Sequence, residues 1–265
     1  MRRTINRITM IFMVFGTIFC SQESFSQRTG RDIILMVQER PDGENRRSVM
    51  TMQLINHRGA VRERTLLSYS MDIGKDSKSI MFFQAPADVR GTGFLSWQYD
   101  DPSREDDRWL YLPAMKKVRR ISGSSAKKEN FMGSDFTYDD MGGRSVDEDD
   151  HRLLREEPAK NQPCWVVEST PREEDSNYSR KVTWIRKDAL VPVKVEFYDR
   201  MGSLQKTLTP SEITRDGAFW TTGRLDMANH QRDHTTIITI DQMEYDLELN
   251  ESMFTVPALE RGLIQ

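Results

Sequence analysis

Apolar and polar residues alternate along most of the chain, with the period of a half-buried β-strand rather than that of a helix. Met50, Met52 and Leu54 alternate with Thr51 and Gln53, and His57-Arg58-Gly59 turns the chain into a second strand over 62–71. Residues 80–83 read as a strand apolar on both faces, ended by Ala85-Pro86. Further strands are expected over 164–169, 181–186, 191–198, 204–213, 219–227 and 234–243, with turns at Met201-Gly202 and Asp216-Gly217. In 191–198, Val191, Val193, Val195 and Phe197 share one face while Lys194 and Glu196 point away. Residues 32–37 precede a Pro41-Asp42-Gly43 turn, and their β-branched side chains leave a strand possible there. A short capping turn or helix is expected at 250–254, ended by Pro257. The pattern predicts a mainly β chain, one antiparallel meander of long hairpins curling toward a barrel.

The densest signal lies in 91–140. Aromatic strands over 94–99 and 108–112 flank an acidic, proline-containing connection, and a basic strand and a small-residue loop follow. This order reads as a hairpin leading into a flap. Trp109 and Tyr111 share one strand face and Leu110 and Leu112 the other, so either both faces are covered or one lines a cavity. The candidate lining is Phe82, Phe94, Trp97, Trp109, Tyr111, Phe131, Phe136 and Tyr138, with plain core as the alternative. The 15 methionines suit an irregular apolar ligand. Lys117, Arg119 and Arg120, with Lys116, Lys127 and Lys128, form the basic cluster. It is either a solvated face or a rim for anionic headgroups or an acidic patch on a membrane partner.

Trp97, Asp100-Asp101-Pro102 and Arg108-Trp109-Leu110-Tyr111-Leu112-Pro113, with Lys117, Arg119, Arg120 and Phe131-Met132-Gly133-Ser134-Asp135-Phe136, carry a resemblance. The chain resembles the outer-membrane lipoprotein-sorting protein family, LolA-like periplasmic carriers of the longer type associated with RND-type exporters, over roughly 31–263. The resemblance implies a single half-open antiparallel β-barrel, with a few short helices covering a hydrophobic cavity and a helix over 32–37. It also implies a carrier that shields the acyl chains of a lipoprotein or other lipid during transfer toward the outer membrane. The alternatives are an accessory subunit of an RND-type exporter without its own cargo, or a carboxylate-based periplasmic hydrolase. A monomer without cofactor is expected.

Arg2, Arg3 and Arg7 precede an apolar run over 8–19 and then Ser24-Phe25-Ser26, the layout of a cleavable export signal. The expected organisation is a signal over 1–26 and a carrier domain over 27–265 in the periplasm. Phe19 stands where a lipid-attachment signal at Cys20 would want a small residue. Removal of 1–26 takes away three arginines and Glu23, leaving a mildly acidic chain with no global nucleic-acid footprint. Cys164 is then without a disulfide partner. The chain has no G-x-S-x-G elbow, P-loop or HExxH motif, so no enzyme is expected. His230 and His234 on one strand would sit some 13 Å apart, too far for one metal. The acidic run 147–150 reads as a solvated loop.

Overall fold

The computed structural model describes residues 28–262, so the expected export signal, with Cys20, lies outside the described residues. Thirteen antiparallel strands form one sheet, built from two meanders. The first runs from β1 (Asn45–Ile55) through β2 (Val61–Ile73), β3 (Asp76–Ala85), β4 (Gly93–Gln98) and β5 (Asp107–Leu112) to β6 (Lys117–Arg120). The second runs from β7 (Asp149–Ala159) through β8 (Gln162–Pro171), β9 (Arg180–Arg186), β10 (Pro192–Tyr198), β11 (Leu204–Asp216) and β12 (Phe219–Asn229) to β13 (His234–Tyr245). Pairing of β1 with β13 joins the meanders, with Arg46 opposite Tyr245 and Ile55 opposite Thr235. β6 and β7 are the two ends of the strand order and do not pair, so the barrel is half-open. Residues 121–148 lead from one end to the other.

Among the described residues three short helices join the sheet: α1 (Gly30–Gln38), α2 (Ser124–Lys127) and α3 (Val256–Arg261). At α1 a capping box outweighs the β-branched residues. The Thr29 hydroxyl accepts from the Asp32 amide while the Asp32 carboxylate accepts from the Thr29 amide. Ile33 of α1 is fully buried against Trp165, Val167 and Ile185. Gly30 permits this approach, because a Cβ there would stand 2.7 Å from the Arg152 and Leu153 backbone of β7.

The acidic run keeps Asp147 and Asp150 exposed but is a turn and strand start, not a loop, and its carboxylates are paired. Asp147 pairs with Arg31 at 2.8 Å, Asp149 with Arg144 at 2.7 Å and Asp150 with Arg172 at 2.8 Å, and Glu148 reaches Arg144 at 3.4 Å. Arg31 and Arg172 come from distant parts of the chain and Arg144 from the preceding turn, so a run that looks hydrated in sequence is paired and opens β7. The two histidines also separate, since His230 lies beyond the end of β12 and His234 opens β13.

Inward and outward residues alternate along each strand, and the apolar ones form separate cores. The inner core joins Met52, Leu54, Leu66, Phe83, Phe94, Leu110, Met227 and Ile238 from strands of both meanders. On the opposite face of β3–β5, the turn at 251–253 and α3 cover a second core with Phe254 and Leu259, both fully buried.

Candidate functional site

The inner face of the curled sheet is the largest apolar surface shared by both meanders. It is covered by a segment that is not part of the sheet. Ile121, Ala126, Phe131, Met132, Phe136, Tyr138 and Met141 from residues 121–141 all pack into the inner core. Residues 129–138 fold back on themselves, with Phe131 N donating to Phe136 O at 2.7 Å and Tyr138 N to Glu129 O at 3.1 Å. Met132 and Gly133, both at positive φ, make the turn. Phe131 is fully buried, its ring 5.3 Å from Phe94, 5.5 Å from Tyr138 and 5.9 Å from Phe83.

Polar contacts hold this inserted loop to the far meander. The fully buried Asp135 accepts at Oδ2 from Thr236 Oγ1 at 2.8 Å and faces His234 Nδ1 at 2.6 Å. Its backbone N–H donates to Thr236 Oγ1, and its backbone carbonyl accepts from Lys206 Nζ at 2.6 Å. Lys206 also donates to Tyr178 Oη at 3.0 Å and lies 3.4 Å from Asp140, to which Tyr178 Oη donates at 2.8 Å. Burial lowers the Lys206 ammonium below its ordinary value, with Asp140 opposing. Burial, then the Asp140 carboxylate, pushes the Tyr178 phenol well above its ordinary value. Oδ1 of Asp135 and of Asp140 are buried without a partner, while their Oδ2 atoms tie the loop to β11, to β13, to the β8–β9 connection and to itself.

A second polar seam bridges the open side. Arg108 of β5, almost fully buried, contacts Asp106 at 2.9 Å and Asp139 at 3.6 Å. Asp139 also faces Arg144 at 3.6 Å, and Arg144 pairs with Asp149 at the start of β7. Burial works against the charge on Arg144, yet Asp149, Glu148 and Asp139 hold its guanidinium above the ordinary value. Gly142 lies where a Cβ would meet Arg108 Nη2 at 2.7 Å and Gln98 Nε2 at 2.9 Å, which accounts for a glycine beside this seam. The seam borders an open polar cleft of about 740 Å³.

The eight candidate aromatics fall on two faces. Phe94, Phe131, Phe136 and Tyr138 meet in the inner core. Phe82, Trp97, Trp109 and Tyr111 lie on the other face of β3–β5, under Phe254 and Leu259, where Trp97 Nε1 donates to Phe254 O at 2.8 Å. The register requires this division, because Phe94 stands opposite Leu110 and Leu95 opposite Trp109. Of the basic residues, Arg119 pairs with Glu129 on the loop, Arg120 with Asp107 on β5, and Lys117 is exposed. Sequence reasoning passes over the anchors. One signal was available: Lys206 sits two residues before Leu208 on the inward side of β11, an unusual place for an unpaired lysine.

Among known proteins, a family model described only as an uncharacterized protein matches residues 75–261. No curated protein matches. An outer membrane lipoprotein-sorting protein domain from Vibrio parahaemolyticus is 33% identical, with a TM-score of 0.83, covering 88% of this chain and 98% of that one. A DUF1329 family protein from Desulfovibrio piger is 34% identical, with a TM-score of 0.83, covering 87% and 97%. A LolA superfamily protein from Nitrosomonas europaea shares the fold at 18% identity, with a TM-score of 0.69, covering 88% and 100%. The half-open sheet, its inserted loop and these two closely similar structures together place the chain in the outer membrane lipoprotein-sorting (DUF1329) family, with the LolA-type fold.

Proposed function

We propose that the protein is a periplasmic carrier whose inner core shields the acyl chains of a lipoprotein or other lipid during transfer toward the outer membrane. One observation carries this reading: the apolar inner face of the sheet is covered by a loop, not by a second layer of sheet. Beyond Ile121, whose N–H donates to Arg108 O of β5, the backbone of residues 122–141 takes no part in the strand ladders. Withdrawal of the loop would therefore leave the sheet intact and open an apolar surface rich in Met50, Met52, Met81 and Met227. An acyl chain entering in its place gains about 0.8 kcal/mol per methylene buried, which gives affinity without covalent chemistry. Phe94, Phe131, Phe136 and Tyr138 are the aromatics in position to meet such a chain. To Lys117 and the neighbouring basic residues this reading gives contact with headgroups or with a membrane partner such as an RND-type exporter. The test is organic-solvent extraction of the purified mature protein, with mass spectrometry of the extract, beside displacement of a fluorescent fatty acid. Co-purified lipid and saturable displacement are expected. An empty extract with no probe binding would leave the accessory-subunit reading instead.

A further inference from the structure

Away from the inserted loop, the inward rows of β1, β2 and β13 change character along their length. On β1 the inward sequence is Arg46, Ser48, Met50, Met52 and Leu54, and on β2 it is Ser70, Ser68 and Leu66. Met243 stands opposite Ser48, and Ile240 opposite Met50. One mouth of the interior is thus polar, and the apolar core begins two residues deeper. From Ser48 to Leu54 the row spans about 20 Å.

A cavity of about 210 Å³ opens at this mouth, lined by Arg40, Arg46, Ser48, Ser68, Ser70 and Trp220 among others, with Ile240 and Met243 at its apolar end. Arg40 and Arg46 share the Asp42 carboxylate in the lining, and Asp72, next on the same row of β2, lies close to Arg46. Asp42 is committed to Arg46 at 2.6 Å, and Arg46 Nε donates to Ser70 Oγ at 3.2 Å. Arg40 donates from Nη1 to Val37 O at 3.3 Å, its Nε is buried without a partner, and among the described residues it forms no ion pair. The hydroxyls of Ser48 and Ser68, neighbours across β1 and β2, make no hydrogen bond among the described residues. A guanidinium without an ion pair, its unused buried donor and two unused hydroxyls therefore converge at the entrance to an apolar interior. Leaving such a donor unmade is costly unless a ligand completes it.

We propose that this mouth is a binding site for an anionic group, a phosphate or phosphodiester, held by Arg40 with Ser48 and Ser68. In the carrier reading, on which this use of the site rests, the group is the headgroup of an amphiphile whose tail runs past Ile240 into the inner core. A mobile free phosphate would use the same donors without the tail.

The experiment compares a lysophosphatidylglycerol with a neutral monoacylglycerol of the same chain length, by displacement of a fluorescent fatty acid from the mature protein. Wild type is expected to prefer the anionic amphiphile by about tenfold, the size of one charge-assisted hydrogen bond. Arg40→Gln should abolish the preference while neutral binding persists. Ser48→Ala with Ser68→Ala, which keeps the charge, should reduce it in part and serves as the second variant if Arg40→Gln folds poorly. Equal binding of the two amphiphiles to wild type, or an undiminished preference in both variants, would overturn the site and leave the carrier reading standing. If neither amphiphile binds, the carrier reading fails and inorganic phosphate decides. Stabilisation by phosphate over chloride at matched ionic strength, lost in Arg40→Gln, supports a free-anion site, and its absence overturns the proposal.

Discussion

Asp135 and His234, 99 residues apart in the chain, face each other across 2.6 Å between Oδ2 and Nδ1. One is on the inserted loop and the other opens the last strand, so their contact fastens the loop to the far side of the barrel. Asp135→Ala would leave Thr236 Oγ1 and the imidazole without their acceptor, at a cost of roughly 1–3 kcal/mol. The loss should be local. Hydrogen exchange over 129–141 is expected to rise more than exchange in β1 or β13, and a fluorescent fatty acid should bind more tightly. Uniform acceleration of exchange across the sheet would show that Asp135 supports the whole fold and not the loop.

Phe131 and Trp109 offer a paired test, since Phe131 of the loop packs on one face of β3–β5 and Trp109 lies on the other. Phe131→Ala removes the ring at the centre of the loop's packing and should increase lipid-probe binding while lowering the unfolding temperature. Trp109→Ala should cost stability near the lower end of the roughly 3–5 kcal/mol typical of a truncated core aromatic, because the ring is only half-buried. Its lipid binding should stay unchanged. The opposite pattern, with binding altered in Trp109→Ala alone, would move the ligand to the face under α3.

The Tyr178 phenol gives an alkaline signature. Its folded pKa lies well above the ordinary value of 10.0, so the folded chain keeps a proton that the unfolded chain releases. This contribution is complete below pH 10 and is lost as pH rises from 10 toward the folded value. Lys206 acts with the opposite sign: its folded pKa is below 10.5, so through this group stability rises with pH up to about that value. Denaturant unfolding from pH 8 to 11.5 should therefore show a decline above pH 10 that is shallower in Tyr178→Phe. Parallel wild-type and variant curves would mean that the phenol is not held in its neutral form by the fold.

Cys164 is buried to 1% exposure, donates from Sγ to Gln162 O at 3.3 Å, and has its thiol pKa raised by burial. Native protein should resist thiol reagents until denaturant is added. A serine hydroxyl can make the same bond to Gln162, so Cys164→Ser is expected to cost about 1–2 kcal/mol and to leave lipid binding intact. Rapid labelling of the native protein would indicate an opening of β8 that the structure does not contain.

The strands were legible because alternation is a local property, and Val193, Val195 and Phe197 are buried as their spacing implies. β7 was not legible. Its burial alternates weakly, and its acidic start is paired with the neighbouring Arg144 and with the more distant Arg172. The aromatic block was recognisable, but its division between two faces depends on which side α3 covers, and that contact joins Leu259 to Gly93 across the chain. The loop anchors were the least visible part. Asp135, Lys206 and His234 are ordinary residues until the half-open barrel brings three distant segments together.

The pairing of β1 with β13 has a consequence for how the chain reaches this structure. Each meander can form from hairpins between consecutive strands, but the strand pair that unites them waits for residue 245. Until then β1 and β13 are both exposed edges, open to pairing with another chain. The Arg47–Glu244 ion pair at 2.5 Å lies on that seam and can favour the native partner over a second copy. Pulse-labelled exchange during refolding should find the amides of this seam protected last, well after those within the β11–β12 hairpin, so that the first strand made is completed by the last.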